Sequence, residues 1–214
     1  MAQMVRIHCF TVSSDGYGSG EGQSRERPFG HADPADLLSW AGATAHWVGR
    51  TDPGGSYGLD DFITRDWSAN IGAEIMGRNK FGPQRGPWEN HDWQGWWGAE
   101  PPFRTPVFVL THHVRPSFTL GATTFHFLDT TPEQALAQAF TAAEGKDVRI
   151  GGGVHTVREF LAADLIDTMH IAVAPVELGG GERLWTTPDE LTDRYHLEKI
   201  PSPSGVVHHF FWRR

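Results

Sequence analysis

Asp147-Val148-Arg149-Ile150-Gly151-Gly152-Gly153-Val154-His155-Thr156-Val157-Arg158-Glu159-Phe160-Leu161 is the stretch that decides the fold. Val148–Ile150 reads as a buried strand, the three glycines as a turn, and Val154–Ala163 as a helix. A helix start carries unpaired amides and the positive end of the helix dipole. Such a start is a seat for phosphate without any cationic side chain. Glycines let an anion approach the backbone closely and permit positive φ. Thr156, one turn into the helix, adds a hydroxyl. Two readings of the turn stand at this point: a pyrophosphate seat, or a tight strand-to-helix turn with no ligand. It is neither a Walker loop nor a G-x-G-x-x-G fingerprint, and no lysine follows the glycines, which disfavours a nucleoside-triphosphate site.

Working outward, strands and helices alternate. Arg6–Val12 reads as a strand with Ile7, Cys9 and Thr11 on one face. It is followed by the turn-rich Ser13-Ser14-Asp15-Gly16-Tyr17-Gly18 and an ordered polar loop to Gly30. Asp33–Trp47 reads as a helix capped by Asp33, with Pro34 in its first turn. Asp60–Ile71 reads as a second helix, with Phe62, Ile63 and Trp67 on one side. Ala73–Met76, Val107–Thr111, Thr123–Leu128 and Met169–Val176 read as strands. A helix runs from Thr131-Pro132 to about Ala143, and Leu197–Ile200 with Val206–Trp212 forms a terminal hairpin. This alternation predicts an α/β fold with a mixed, mainly parallel sheet closed by an antiparallel hairpin. No linker divides the 214 residues, so a single domain is expected.

The net charge of −8 argues against nucleic acid and anionic membranes as partners. No apolar run approaches the roughly 20 residues that span a bilayer, and MAQMVRIHCF lacks a signal peptide's apolar segment. Cys9 is the sole cysteine and is expected to be a small core residue. It can form no internal disulfide, so a reducing cytoplasm is the expected compartment. Among the 12 histidines, the neighbours in His112-His113 and His208-His209 point to opposite faces if extended. No cluster has metal-ligand spacing, so no metal is expected.

Five segments in order then resemble the dihydrofolate reductase-like superfamily. They are Ser13–Tyr17, Ile75-Met76-Gly77-Arg78, Pro106–His112, the glycine turn, and Leu165-Ile166-Asp167 running on to Ala174–Gly179. The nearest branch is the reductase domain of the bifunctional riboflavin-biosynthesis deaminase–reductase and its stand-alone relatives, over about residues 5 to 212. The resemblance implies a three-layer α/β/α fold, NADPH as hydride donor and, often, a homodimer. It places Gly77 and Arg78 at the cofactor phosphates and Thr111 and His112 at the adenosine 2′-phosphate end. Gly151, Gly152, Gly153 and Thr156 fall at the pyrophosphate. It implies a small-molecule substrate, foremost a pyrimidine such as 5-amino-6-(5-phosphoribosylamino)uracil. Dihydrofolate reduction and a non-catalytic cofactor-binding module are the alternatives. Lys80 stands where the folate enzymes carry a threonine, and could supply positive charge there. No zinc-deaminase motif accompanies the chain.

Asp15 is the catalytic candidate that the resemblance implies. A carboxylate there can hydrogen-bond the substrate or help move a proton; otherwise it belongs to an Asp-Gly turn. Asp36, in the first helix, superficially matches the acid of the folate enzymes, or is a solvated acid at a helix start. Glu177 could face substrate from a strand end. The insert at about 82–106 carries Trp88, Trp93, Trp96 and Trp97. It is either a lid over a flat substrate, with Trp97 a contact, or a satellite core.

Overall fold

The computed structural model describes residues 2–47 and 54–214. Strands β1 (Val5–Ser13), β3 (Ile71–Gly77), β4 (Pro106–Leu110), β5 (Phe118–Leu120), β6 (Thr123–Leu128), β7 (Asp147–Gly152), β8 (Thr168–Ala174), β10 (Tyr195–Pro201) and β11 (Val207–Arg213) form one sheet. Their hydrogen-bonding order is β10-β11-β8-β1-β7-β3-β4-β6-β5. The pairs β1·β7, β7·β3, β3·β4 and β4·β6 are parallel. The pairs β10·β11, β11·β8 and β5·β6 are antiparallel. The α/β class with a closing hairpin is as the alternation predicted. Strands β2 (Tyr17–Ser19) and β9 (Glu182–Arg183) pair separately, inside what the sequence offered only as loops.

Contacts group the chain into two compact units. Unit 1 comprises residues 1–6, 24–28 and 70–166. Every residue of β3 is buried, as a parallel strand covered on both faces should be. Helix α4 (Pro132–Ala142) starts where the Thr131 hydroxyl accepts from the Gln134 amide and Pro132 fixes the first turn. It packs on β3, β4 and β7, while α5 (Val154–Ala162) packs on β7 and β3. The segment between the short α3 (Arg78–Phe81) and β4 is an insert without helix or strand. Its rings form a satellite core with the β5–β6 hairpin. Trp97 stacks on Phe125 at 5.8 Å and meets Phe103 edge-on at 4.8 Å. Trp88 lies edge-on to Phe81 and Phe127.

Unit 2 comprises residues 7–23, 29–69 and 167–214. Helix α1 (Pro34–Gly42) starts as predicted, with the Asp33 carboxylate accepting from the Ala35 amide at 2.8 Å, but it stops five residues short of Trp47. Helix α2 is Leu59–Arg65; Asp66 caps it and Asn70 takes φ 57°, so Ile71 opens β3 instead of closing the helix. Ile63 and Trp67 are buried as expected, but Phe62 is 64% exposed. The core here joins Trp40, Ala41, Ile63, Ala172 and Val206. Cys9 is only half-buried and takes φ 55°, which interrupts the alternation of β1.

Candidate cofactor site

In unit 1 the sheet places three of the predicted segments side by side. Strands β7, β3 and β4 are consecutive and parallel, so their carboxyl ends share one edge. The register sets Gly152 beside Met76 and Gly77 beside Leu110. Gly151–Gly153, Gly77–Arg78 and Thr111–His112 are therefore neighbours at the edge where open α/β sheets bind ligands.

The glycines differ in what they do. A Cβ at Gly151 would overlap the buried carboxylate of Glu74. Gly152 has φ 106°, a conformation side chains resist. Gly153 has φ −66°, and a Cβ built on it would meet nothing within 4 Å. It is the N-cap of α5 and offers no capping side chain, so the first amides of that helix have no local side-chain acceptor. Gly77 touches the same helix: a Cβ there would overlap the Thr156 hydroxyl. Thr156 is buried, and its oxygen lies between β3 and α5.

An ion cluster beneath the turn escaped the sequence reading. Glu74 of β3 and Arg149 of β7 are register partners, 0% and 2% exposed, with Arg149 Nε donating to Glu74 Oε2 at 2.9 Å. Lys80 Nζ donates to the Gly151 carbonyl at 2.6 Å and to Glu74 Oε1 at 3.4 Å. Burial lowers the Lys80 ammonium from the ordinary lysine value; Glu74 opposes this and Arg149 adds to it. The expected positive charge of Lys80 is thus turned inward, where it ties α3 to the glycine turn. The available signal was one acid and one base, each alone in an apolar run.

Arg78 donates through Nη1 to the Gly86 carbonyl, and its guanidinium lies 4.0 Å from the Trp88 ring centre. Its Nε and Nη2 are buried and have no hydrogen-bond partner. Desolvation by the insert lowers its pKa. Buried donors without a partner are groups that an anion can satisfy. The Thr111 hydroxyl accepts from the His113 amide at 3.1 Å, which folds the chain back after β4. His112 is exposed and pairs with Asp129 at 2.9 Å.

Asp15 and Glu177 belong to unit 2. The Asp15 carboxylate accepts from Ser13 Oγ at 2.5 Å, the Leu178 amide at 3.1 Å and the Gly179 amide at 2.8 Å. Desolvation raises its pKa, but the Ser13 hydroxyl and the two amides outweigh it and leave the carboxyl below its ordinary value. Asp15 therefore ties the loop after β8 to the end of β1, and Glu177 is exposed on that loop. Donors 163 and 164 positions away could not be read from the sequence. Asp36 is exposed in the first turn of α1 and lines a cleft of about 330 Å³ with Trp40, Pro175 and Val176.

A mainly parallel sheet carries an uncapped helix start and an arginine at its carboxyl edge, groups of the kind that accept anions. Residues 6–202 match the description "RibD C-terminal domain", and the chain belongs to that family. The family is one of NADPH-dependent reductases that typically bind NADP(H). A putative riboflavin biosynthesis protein from Shewanella sp. PV-4 is similar at 21% identity, covering 100% of this chain and 99% of the other, with a TM-score of 0.57. Dihydrofolate reductase from Enterococcus faecalis, solved with NADP(H), is similar at 13% identity, covering 100% and 99%, with a TM-score of 0.55. A pyrimidine reductase-like protein from Corynebacterium diphtheriae is similar at 13% identity, covering 100% and 92%, with a TM-score of 0.52. At these identities the likeness is one of fold. No curated protein sequence matches the chain. Among the described residues, no helix is long and apolar enough to cross a membrane.

Proposed function

We propose that this chain is an NADPH-dependent reductase of a small heterocycle, with 5-amino-6-(5-phosphoribosylamino)uracil or a close pyrimidine as its substrate. The observation that carries this reading is the shared carboxyl edge of β7, β3 and β4. There the strand ends bring Gly151–Gly153, the uncapped start of α5 and the backbone of Gly77-Arg78 side by side, and Arg78 carries two buried donors without a partner. These groups fit a dinucleotide's phosphates. The first amides of α5 take the pyrophosphate, the open side of Gly153 allows close approach, and Arg78 supplies charge. Thr111 and His112 contribute at the 2′-phosphate end, and Gly77 and Thr156 hold helix and strand together. When bound, NADPH supplies the hydride.

Asp15 is the proposed catalytic-site acid. Held ionised by its donors, it acts as a fixed hydrogen-bond acceptor that orients substrate and the Glu177 loop, not as the proton source at neutral pH. Glu177 is the proposed polar substrate contact. Trp97 contributes through the face left outside its aromatic cluster. The functional oligomer implied by the resemblance is a homodimer, which sedimentation measures.

Titration of NADPH against the chain, followed by cofactor fluorescence or calorimetry, tests the reading. Saturable binding with a preference over NADH supports it, and no binding at millimolar cofactor overturns it. A second reading, reduction of a folate, is favoured by the place of Asp36 on the unit 2 cleft. Turnover lost in Asp15→Ala and kept in Asp36→Ala selects the pyrimidine reading; the reverse selects the folate one.

A further inference from the structure

Unit 2 carries a second cluster of chemically reactive groups. A ring nitrogen of His8, the Cys9 thiol and a ring nitrogen of His170 lie within 4.8 Å of one another. In a regular strand His8 and Cys9 would face opposite sides. The left-handed backbone of Cys9, φ 55°, breaks that rule. Both side chains reach one acceptor, the Ile63 carbonyl: His8 Nε2 at 3.0 Å and Cys9 Sγ at 3.9 Å.

The third member is oriented by a chain of hydrogen bonds whose direction is fixed at one end. The Cys9 amide donates to His170 Nδ1 at 3.1 Å, so in the neutral ring that nitrogen carries the lone pair and Nε2 carries the proton. Nε2 donates to His208 Nδ1 at 2.9 Å. His208 Nε2 then donates to Asp60 Oδ1 at 2.8 Å. Trp40 meets both rings edge-on, at 5.9 and 5.2 Å, and locks them. His170 thus donates through the His208 ring toward the Asp60 carboxylate and carries a lone pair on Nδ1, which the Cys9 amide occupies; such a relay to a carboxylate is what supports metal-ligating histidines.

We infer that His8, Cys9 and His170 form a site for a thiophilic divalent transition ion of the zinc class. One thiolate and two imidazoles suit Zn²⁺ and Co²⁺ and disfavour Mg²⁺ and Ca²⁺, which take oxygen ligands. Ligands at zinc distances of about 2.0–2.3 Å stand roughly 3.5 Å apart in a tetrahedron. The three groups must therefore close inward by about 1 Å. Binding releases the thiol proton and takes His170 Nδ1 from the Cys9 amide. The fourth position falls to the Ile63 carbonyl or to water. The sequence expectation of no metal rested on the pairs His112-His113 and His208-His209 and on the lack of any cluster with ligand spacing; His8 and Cys9 meet His170 only in the fold, and His208 enters this site as a supporting group. The inference is independent of the reductase reading, since none of these groups is among the proposed cofactor or substrate contacts.

The test is titration of the metal-free full chain with Co²⁺, followed by absorption. The expected result is one equivalent bound, with a thiolate-to-cobalt charge-transfer band and the strong visible bands of tetrahedral cobalt, all displaced by one equivalent of Zn²⁺. The charge-transfer band vanishes in Cys9→Ala. Affinity falls roughly 10–100-fold in His208→Gln, which touches the metal only through His170. His8→Gln, at a half-buried position, gives a second ligand variant, and circular dichroism checks each fold. Absence of a thiolate band in the parent chain, or cobalt binding unchanged in Cys9→Ala and His8→Gln, overturns the inference and assigns any uptake to exposed imidazoles.

Discussion

A pair of glycine-to-alanine substitutions separates the two things a glycine can do at the carboxyl edge. At Gly153 the added methyl meets no atom within 4 Å, and φ of −66° suits alanine. Loss of glycine's unfolded-state freedom stabilises such a site by about 0.4–1 kcal/mol. Alanine as an N-cap residue costs a comparable amount relative to glycine. The two nearly cancel, so Gly153→Ala should leave stability within about 0.5 kcal/mol of the parent. The methyl nevertheless projects into the open space at the start of α5, where the pyrophosphate is proposed to sit. Displacing a charge-assisted hydrogen bond there costs about 1.5–3 kcal/mol, which is roughly a 10- to 100-fold rise in the Kd for NADPH. Gly77→Ala behaves oppositely. Its methyl overlaps the buried Thr156 hydroxyl, so β3 and α5 must part, at an overpacking cost of about 1–3 kcal/mol. Urea unfolding monitored by tryptophan emission gives the stabilities, and calorimetry gives the affinities. Parent-like NADPH binding by a folded Gly153→Ala chain would refute the placement of the phosphate.

Arg149→Met leaves the buried Glu74 carboxylate without its guanidinium and should cost about 3–5 kcal/mol in urea unfolding. Adding Glu74→Leu should recover most of that loss, and a single-variant cost below about 1 kcal/mol refutes the pair's importance. Asp15→Ala removes the acceptor for the Leu178 and Gly179 amides. Because those amides are half-buried and exposed, a loss of about 1–2 kcal/mol is expected, with faster hydrogen exchange confined to the loop around Glu177. Burial, then Lys199 and His208 against the opposing Asp189, hold His209 down at about 4. The unfolded chain takes up that proton first, so this contribution is complete above about pH 6.5 and is lost as the pH falls toward 4. Urea midpoints measured at pH 7.5, 5.5 and 4.5 should therefore drop less steeply in His209→Phe than in the parent chain.

Elements with strong local signals were legible in the sequence. Val148–Leu161 folds as strand and helix, though Gly151 and Gly152 still belong to the strand and Gly153 alone joins the two; Asp33 and Thr131 cap the helices they announce. Phe118–Leu120 was not legible as a strand, because three residues carry no period and pairing with β6 alone defines them. The second helix was read too long, since Trp67 continues the apolar pattern of Phe62 and Ile63 beyond the point where Asp66 ends it. At the site, residue types were readable but their directions were not. Lys80 looked like a phosphate ligand, yet a buried acid six positions earlier draws it inward. Asp15 read as a catalytic carboxylate or as part of an Asp-Gly turn, yet besides Ser13 its donors are the amides of Leu178 and Gly179. Cys9 looked like ordinary core because one left-handed residue inside a strand leaves no compositional mark.

The proposed seat at the start of α5 is made of backbone amides, and this bears on how the family can diverge. A point substitution can replace any side chain, but only proline deletes an N–H. A phosphate seat of this kind persists while its neighbours change almost without restriction, provided the few positions with steric duties stay small. The path of such a chain can therefore outlast its letters, in keeping with a like fold at 13–21% identity. Drift is then free to work on the insert and on the loop held by Asp15 without rebuilding the proposed seat.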